Sequence, residues 1–145
     1  MRKRIDSFKK PPYEFLSNMV PNTLGFSVEY NYQAAKRDDP DYKQFIMESG
    51  TPYQAKKRGK HKEPKHWRLV CNDIMLRFLR IKFSDPVFAK KLLYTGDAEL
   101  IEGNWWGDTW WGVCNGVGKN WLGKLLMQVR EEIRNGEVSP NQSNQ

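Results

Sequence analysis

Residues 67–82 read WRLVCNDIMLRFLRIK, and this stretch decides the fold class. Trp67, Val70, Cys71, Ile74, Phe78 and Ile81 recur at steps of three and four, the spacing of one face of an α-helix. It is the strongest helical signal in the chain. Pro64, just upstream, suits a helix start, where its missing N–H costs nothing. Cys71 lies on the apolar stripe, so it reads as core packing and not as a nucleophile.

Working outward, the helical signals continue on both sides. Downstream, Asp85-Pro86 restarts a helix that runs to about Tyr94 and ends at Gly96-Asp97. Residues 98–102 (AELIE) read as a short strand or an extended segment. The last helix spans about Lys119 to Asn135, with Leu122, Leu125, Leu126, Val129 and Ile133 as its apolar stripe and Gly136 as its cap. Upstream, Thr51 is a candidate N-cap for a helix over 52–58, closed by Gly59. Asp38-Asp39-Pro40 ends one helix and begins another over 41–48. The first helix runs from about Val28 to Arg37. Tyr13 to Asn18 reads as a buried turn or a brief strand, and Thr23 to Val28 as a short strand. Residues 1–12 are basic, end in Pro11-Pro12 and read as an arm leading into the domain. The domain proper covers 13–136, and 137–145 (EVSPNQSNQ) reads as a disordered polar tail.

Composition bounds the rest. The chain has 145 residues, enough for one domain with a core of its own. Hydrophobic residues are 39% and charged residues 28%, ordinary for a soluble globule. No apolar run approaches the roughly 18 residues of a membrane span. The start, MRKRIDSFKK, has no apolar segment after it, so no signal peptide is expected. Two cysteines and two histidines, none in ligand spacing, give no zinc site. The expected compartment is a reducing cytoplasm. The net charge of +7 suits anionic partners, or serves solubility alone.

Three segments could carry chemistry. Glu29, Gln33 and Lys36 form a polar stripe beside the core stripe Val28, Tyr32 and Ala35. Such a stripe lines a cleft or simply faces solvent, and the pattern alone favours solvent. Residues 56–66 (KKRGKHKEPKH) form a phosphate-facing rim or a solvated loop, the loop being the plainer reading. Trp105, Trp106, Trp110 and Trp111 crowd one loop, either as an aromatic mini-core or as a platform for a flat ligand. Asp108 sits among these indoles. It is a proton donor if burial raises its pKa, or a loop cap bonded to backbone amides. Gly112 to Gly118 leads into a helix start and could cradle a phosphate, although its spacing matches no standard nucleotide loop.

Together these segments resemble the NADAR, or YbiA-like, family. The resemblance rests on FLSN at 15–18, then Val28-Glu29-x-x-Tyr32-Gln33-Ala34-x-Lys36, Ala55, Gly59, Trp67, Met75 and Lys82-Phe83. It continues through Leu92-Leu93-x-Thr95-Gly96-Asp97, Leu100-Ile101-Glu102 and Asp108-x-x-Trp111-Gly112. It closes with Gly116-x-Gly118-x-Asn120-x-Leu122-Gly123 and Leu125-Leu126-Met127-x-x-Arg130. Two positions depart from the pattern: Tyr30 stands where the family often has His, and Met19 where an aromatic usually follows FLSN.

The resemblance implies a single, mainly α domain with minor β structure. It implies an N-glycosidase acting on phosphoribosylated pyrimidine intermediates of riboflavin synthesis, or removing ADP-ribose from guanine in nucleic acid. Glu29, Trp67, Asp108 and Trp111 match the family's active-site positions, and Lys36 and Asn120 match further motif positions. Glu29 is expected to activate water or hold the ribose hydroxyls. Asp108 is expected to protonate the leaving base or stabilise the cation. Trp67 and Trp111 would stack on base or ribose. Lys36 would pair a phosphate or attack an opened ribose. Gln33, Gly116, Gly118 and Asn120 complete the expected binding set. The scheme calls for no metal and no cofactor, and a monomer is expected. The rival readings are a non-catalytic module that binds ADP-ribose or a nucleotide, and a sequence-independent nucleic-acid binder.

Overall fold

The computed structural model of the chain describes residues 2–137. Most of the expected tail, 137–145, lies outside the described residues. Six helices carry the fold: α1 (Val28–Ala34), α2 (Pro40–Met47), α3 (Pro52–Arg58), α4 (Trp67–Lys82), α5 (Pro86–Tyr94) and α6 (Trp121–Arg134). Four two-residue strands join them: β1 (Arg4–Ile5), β2 (Glu99–Leu100), β3 (Gly103–Asn104) and β4 (Val113–Cys114). β1 pairs with β2 and β3 with β4, both in parallel. The expected mainly α domain with minor β structure is what forms.

Local chemistry sets the helix starts. Ser27, Asp39, Thr51 and Asp85 each accept a backbone N–H of the helix they precede. Each such cap contributes about 1 kcal/mol. Prolines open α2, α3 and α5. The expected strand at 23–28 does not form. Asn22 Oδ1 instead accepts the amides of Leu24 and Phe26, at 3.0 and 2.9 Å, and curls the backbone. Asp85 Oδ2 then takes the amide and hydroxyl of Thr23, which ties this turn to the start of α5. Residues 13–16 settle as a turn of 3₁₀-helix with Phe15 and Leu16 buried.

The centre of α4 lies one step from where the apolar spacing places it. Its buried apolar residues are Trp67, Cys71, Met75 and Leu79, four apart, while Val70, Ile74 and Phe78 pack only partly buried beside them. The helix packs against both α1 and α6, so its apolar band is wide and the deepest line falls between the two neighbours. The stripe of α6 forms with Leu122, Leu125, Leu126 and Val129 buried and Ile133, its last member, only partly covered. The basic N-terminal segment is stitched into the domain: β1 pairs with β2, and Ile5 and Phe8 join the core.

Lys82, the last residue of α4, is fully enclosed. Its ammonium donates to the Ser17 carbonyl at 2.7 Å and lies 5.4 and 5.7 Å from the Phe83 and Phe88 ring centres. Burial lowers its pKa to about 7. Among the described residues no helix is long and apolar enough to cross a membrane.

Candidate functional site

A cavity of about 1010 Å³ opens between the start of α1, the start of α4 and the loop after β2. Its volume matches that of the larger small-molecule sites. Two walls of different construction face one another across it.

The first wall is the polar stripe of α1, which ends at Ala34 and not at the expected Arg37, together with the turn that follows it. Glu29, Gln33 and Lys36 are all buried and all line the cavity, so the solvent-facing reading gives way to the cleft. The surroundings decided this, because α2, α3 and α4 all pack around this short helix. Gln33 Nε2 donates to Glu29 Oε1 at 2.8 Å. Gln33 is steadied in turn by the Tyr42 hydroxyl, which donates to its backbone carbonyl at 2.8 Å. Gly59 makes room for it, since a Cβ there would run into Gln33 Oε1. Burial pushes the Glu29 pKa up. Gln33, Lys56 and Lys36 pull it back, and Asp108 adds a smaller push upward. Glu29 Oε2 takes no hydrogen bond among the described residues. Lys36 is committed elsewhere: its ammonium donates to the Gly59 carbonyl at 3.0 Å and to Glu63 Oε1 at 3.1 Å.

Aromatic rings floor the space beside Glu29. Trp67 Nε1 donates to the Tyr32 hydroxyl at 3.0 Å. Tyr32 meets Trp67 and Trp111 edge to face, with ring centres 5.3 and 5.6 Å away. All three rings line the cavity. Tyr32 reads from spacing as a plain core residue, and its hydroxyl is what aims the Trp67 indole. The core reading of Cys71 holds, for it is buried at the cavity's edge and burial raises its thiol pKa.

The second wall is the loop from Glu102 to Gly112. Asn104 closes it from inside: its Nδ2 donates to the Asp108 carbonyl at 2.8 Å, and its Oδ1 accepts the Asp108 amide at 3.0 Å. Asp108 Oδ1 accepts the amides of Trp110 and Trp111, at 3.1 and 2.9 Å. Asp108 is therefore a loop cap, and it lines the cavity as well. The Trp110 indole donates to Asn72 Oδ1 at 3.0 Å and lies under the Arg68 guanidinium, which anchors the loop to α4.

Glu102 is the acidic group that the sequence pattern did not single out. It lines the same cavity as Glu29 and Asp108. Burial first, and the neighbouring Asp108 charge second, push its pKa up to about 7. The glycine run plays another part than the one expected. Gly116, Gly118 and Asn120 do not line the cavity. The run folds into a tight turn, closed by Cys114 and Val117 exchanging backbone bonds at 2.8 and 3.0 Å. Gly118 packs directly on Gly112. Asn120, left-handed at φ 54°, accepts the Glu102 amide at 3.0 Å and donates to the Leu100 carbonyl at 2.9 Å. Tyr30 also lies off the site, its hydroxyl donating to the Ser49 carbonyl at 2.6 Å.

Cations and exposed rings crowd the mouth. Lys56, Lys57 and Lys60 line it, so the basic stretch faces the cavity and is more than a solvated loop. Lys9 lies 4.8 Å from the Trp106 ring centre, 5.3 Å from Trp105 and 5.4 Å from Tyr53. Trp105 remains 76% exposed. No group of three or more His, Cys, Asp or Glu side chains suited to a metal ion occurs among the described residues.

Comparison with known proteins places this geometry. The NADAR domain model matches residues 7–134. The N-glycosidase YbiA of Shigella flexneri serotype 5b (strain 8401) is 36% identical over 134 residues, covering 89% of this chain and 80% of that protein. A riboflavin biosynthesis protein of Vibrio vulnificus, VVA0006, is 32% identical over 130 residues, covering 83% of this chain but 35% of that longer protein. The NMR structure of the Escherichia coli protein YbiA superposes with a TM-score of 0.79 at 31% identity, covering 95% of this chain and 89% of that one.

Proposed function

The chain belongs to the NADAR domain family, and on that premise we propose that it cleaves the bond between ribose C1′ and a base nitrogen in a phosphate-bearing nucleotide. That it is an N-glycosidase follows from the curated relatives that carry that name. The observation that carries the finer reading is the convergence of Glu29 and Asp108, beside Trp67 and Trp111, on one cavity.

Breaking the C1′–N bond sends its electron pair to the base and leaves positive charge on the ribose. Catalysis needs an anion near that charge, a base for the attacking water and a dry site. Glu29 has one oxygen held by Gln33 and one free. The free oxygen takes the proton of the water that attacks C1′. Asp108 has Oδ1 spent on two amides, which leaves Oδ2 to face the ribosyl cation. Trp67 and Trp111 flank the ring and keep bulk water out. Lys56, Lys57 and Lys60 take the phosphate. Lys36, bonded to Glu63 and Gly59, is an electrostatic neighbour of Glu29 and not a free amine for Schiff-base attack.

Two substrate classes fit. The name of the Vibrio relative supports a phosphoribosylated pyrimidine intermediate of riboflavin synthesis. The exposed Trp105 and the lysines at the mouth support the larger ADP-ribosylated guanine of a nucleic acid. Both are hydrolysed by the same step, in a protein whose two unpaired cysteines suit a reducing cytoplasm. The test incubates the protein with each substrate and follows release of the free base. Release from one names the class. Tight ADP-ribose binding with release from neither would replace the enzyme by a binding module.

A further inference from the structure

We propose that Glu102 is the acid of this site: it gives its proton to the departing base while Glu29 receives one from water. The proposal rests on the glycosidase reading and supplies the proton source for the departing base, which that reading leaves unassigned.

The placement of Glu102 is constructed, not incidental. Its amide is held by Asn120 Oδ1 at 3.0 Å, and its carbonyl accepts the Val113 amide at 2.9 Å. Its side chain lies against Gly112, where any Cβ would collide with both Glu102 Oε2 and the Glu102 carbonyl. Asn104 Nδ2 donates to Oε2 at 3.3 Å. Oε1 takes no hydrogen bond from the described residues and is not sealed off. The carboxyl is thus gripped on one oxygen and open to the cavity on the other.

The charges around the three acids differ, and that difference assigns the roles. Neither Glu102 nor Glu29 has a salt-bridge partner among the described residues, so the difference between them lies in longer-range charges. Among the charges that act on Glu102 the Asp108 carboxylate comes first, ahead of Lys56 and Lys9. Glu29 has the opposite neighbourhood, with Lys56 and Lys36 outweighing the same Asp108. Of the two carboxyl groups that line the cavity beside Asp108, the proton is assigned to Glu102, whose first charged influence is an anion, and the ionised form to Glu29, whose first charged influences are Lys56 and Lys36. The upward push on Glu102, to about 7, agrees with this placement.

The step balances. The C1′–N bond breaks and its electrons go to the base nitrogen. The Glu102 proton goes to the base, so the base leaves neutral. Water bonds to C1′ and gives its proton to Glu29. Exchange with solvent resets both acids.

The experiment uses the full chain and two leaving groups. One is the N-linked base shown to be released. The other is 4-nitrophenyl riboside 5-phosphate, whose phenolate departs without a proton. Wild-type turnover of the N-linked substrate is expected to fall as pH rises through about 7. Glu102→Gln should lose that limb and turn over about 10²- to 10⁴-fold more slowly. The same variant should stay within several-fold of wild type on the nitrophenyl substrate. Glu102→Asp, which keeps a proton to give, should regain part of the rate together with the alkaline limb. Circular dichroism of each variant checks the fold. Full turnover by Glu102→Gln with its limb intact would overturn the proposal. So would loss of the limb in Asp108→Asn alone, since the proton would then belong to Asp108. Should wild type release no base at all, the glycosidase reading fails instead. Carbon NMR of labelled Glu102 then still decides whether this carboxyl holds a proton near pH 6, and an ionised carboxyl there ends the proposal.

Discussion

The two walls of the cavity reach the same end by opposite means. On α1, helical spacing puts Glu29 and Gln33 on one face, the turn after the helix adds Lys36, and packing from outside buries all three. In the loop from Glu102 to Gly112, no period places anything. Side chains bonded to backbone hold the shape: Asn104 to Asp108, Asp108 to Trp110 and Trp111, and Asn120 to Glu102. The helical wall should keep its shape under any substitution that keeps the helix, so damage there is confined to the group removed. The loop wall should fail at positions far from the reacting atoms, because each bond supports the next.

Four measurements sharpen that contrast, beginning with the largest effect. Glu29→Gln keeps the helix and a partner for Gln33, and kcat is expected to fall roughly 10³-fold with an unchanged melting temperature. Stopped-flow release of the base checks the first and calorimetry the second; wild-type turnover would remove Glu29 from the chemistry. Gly112→Ala touches no substrate. Its new methyl meets Glu102 and Asn104, so kcat should drop about 100-fold, with an overpacking cost of about 1–3 kcal/mol seen as a lower melting temperature. A silent Gly112→Ala would mean the loop is looser than its bonds imply. Trp105→Ala, at the exposed mouth, should raise KM about tenfold by removing one stacking surface, with kcat and stability unmoved.

The smallest effect on turnover is expected from Lys82→Met, which lies on neither wall. Its readout is stability. The folded-state pKa of Lys82 is near 7, against 10.5 for an ordinary lysine. Between those values the unfolded chain binds a proton that the folded chain does not, so this residue makes stability rise with pH, by at most about 1.4 kcal/mol per unit. Lys82→Met should therefore stabilise the protein most below pH 7, and its advantage should fade towards pH 10.5. An advantage that stays constant with pH would show that Lys82 titrates normally.

The fold was largely legible in the sequence because helices announce themselves locally. Proline, cap and apolar step mark α2 through α6 within a few residues of their ends. The strand expected at 23–28 gave way to a turn that Asn22 curls locally and that Asp85, far along the chain, ties down through Thr23. The site was legible in part. Spacing found the stripe of Glu29, Gln33 and Lys36 but could not tell what covers it. Of the two readings of Asp108, the loop cap is the one its hydrogen bonds form, and the residue lines the cavity as well. Glu102 stayed hidden because its setting depends on Gly112 and Asn120, ten and eighteen places later. The glycine run suggested a phosphate cradle, whereas its flexibility serves a reversal of the chain.

Asn120 has a consequence for how this molecule comes apart. One side chain bonds both the Leu100 carbonyl and the Glu102 amide, and the same residue opens α6. Gly123, one turn into that helix, lies so close that a Cβ would strike the Leu100 carbonyl. Neither α6 nor the segment around Leu100 can swing away while the other stays, so their amides should exchange with deuterium through a single shared opening. The loop that holds Glu102 therefore inherits the slow breathing of a core helix rather than the rapid motion usual for a glycine-rich loop.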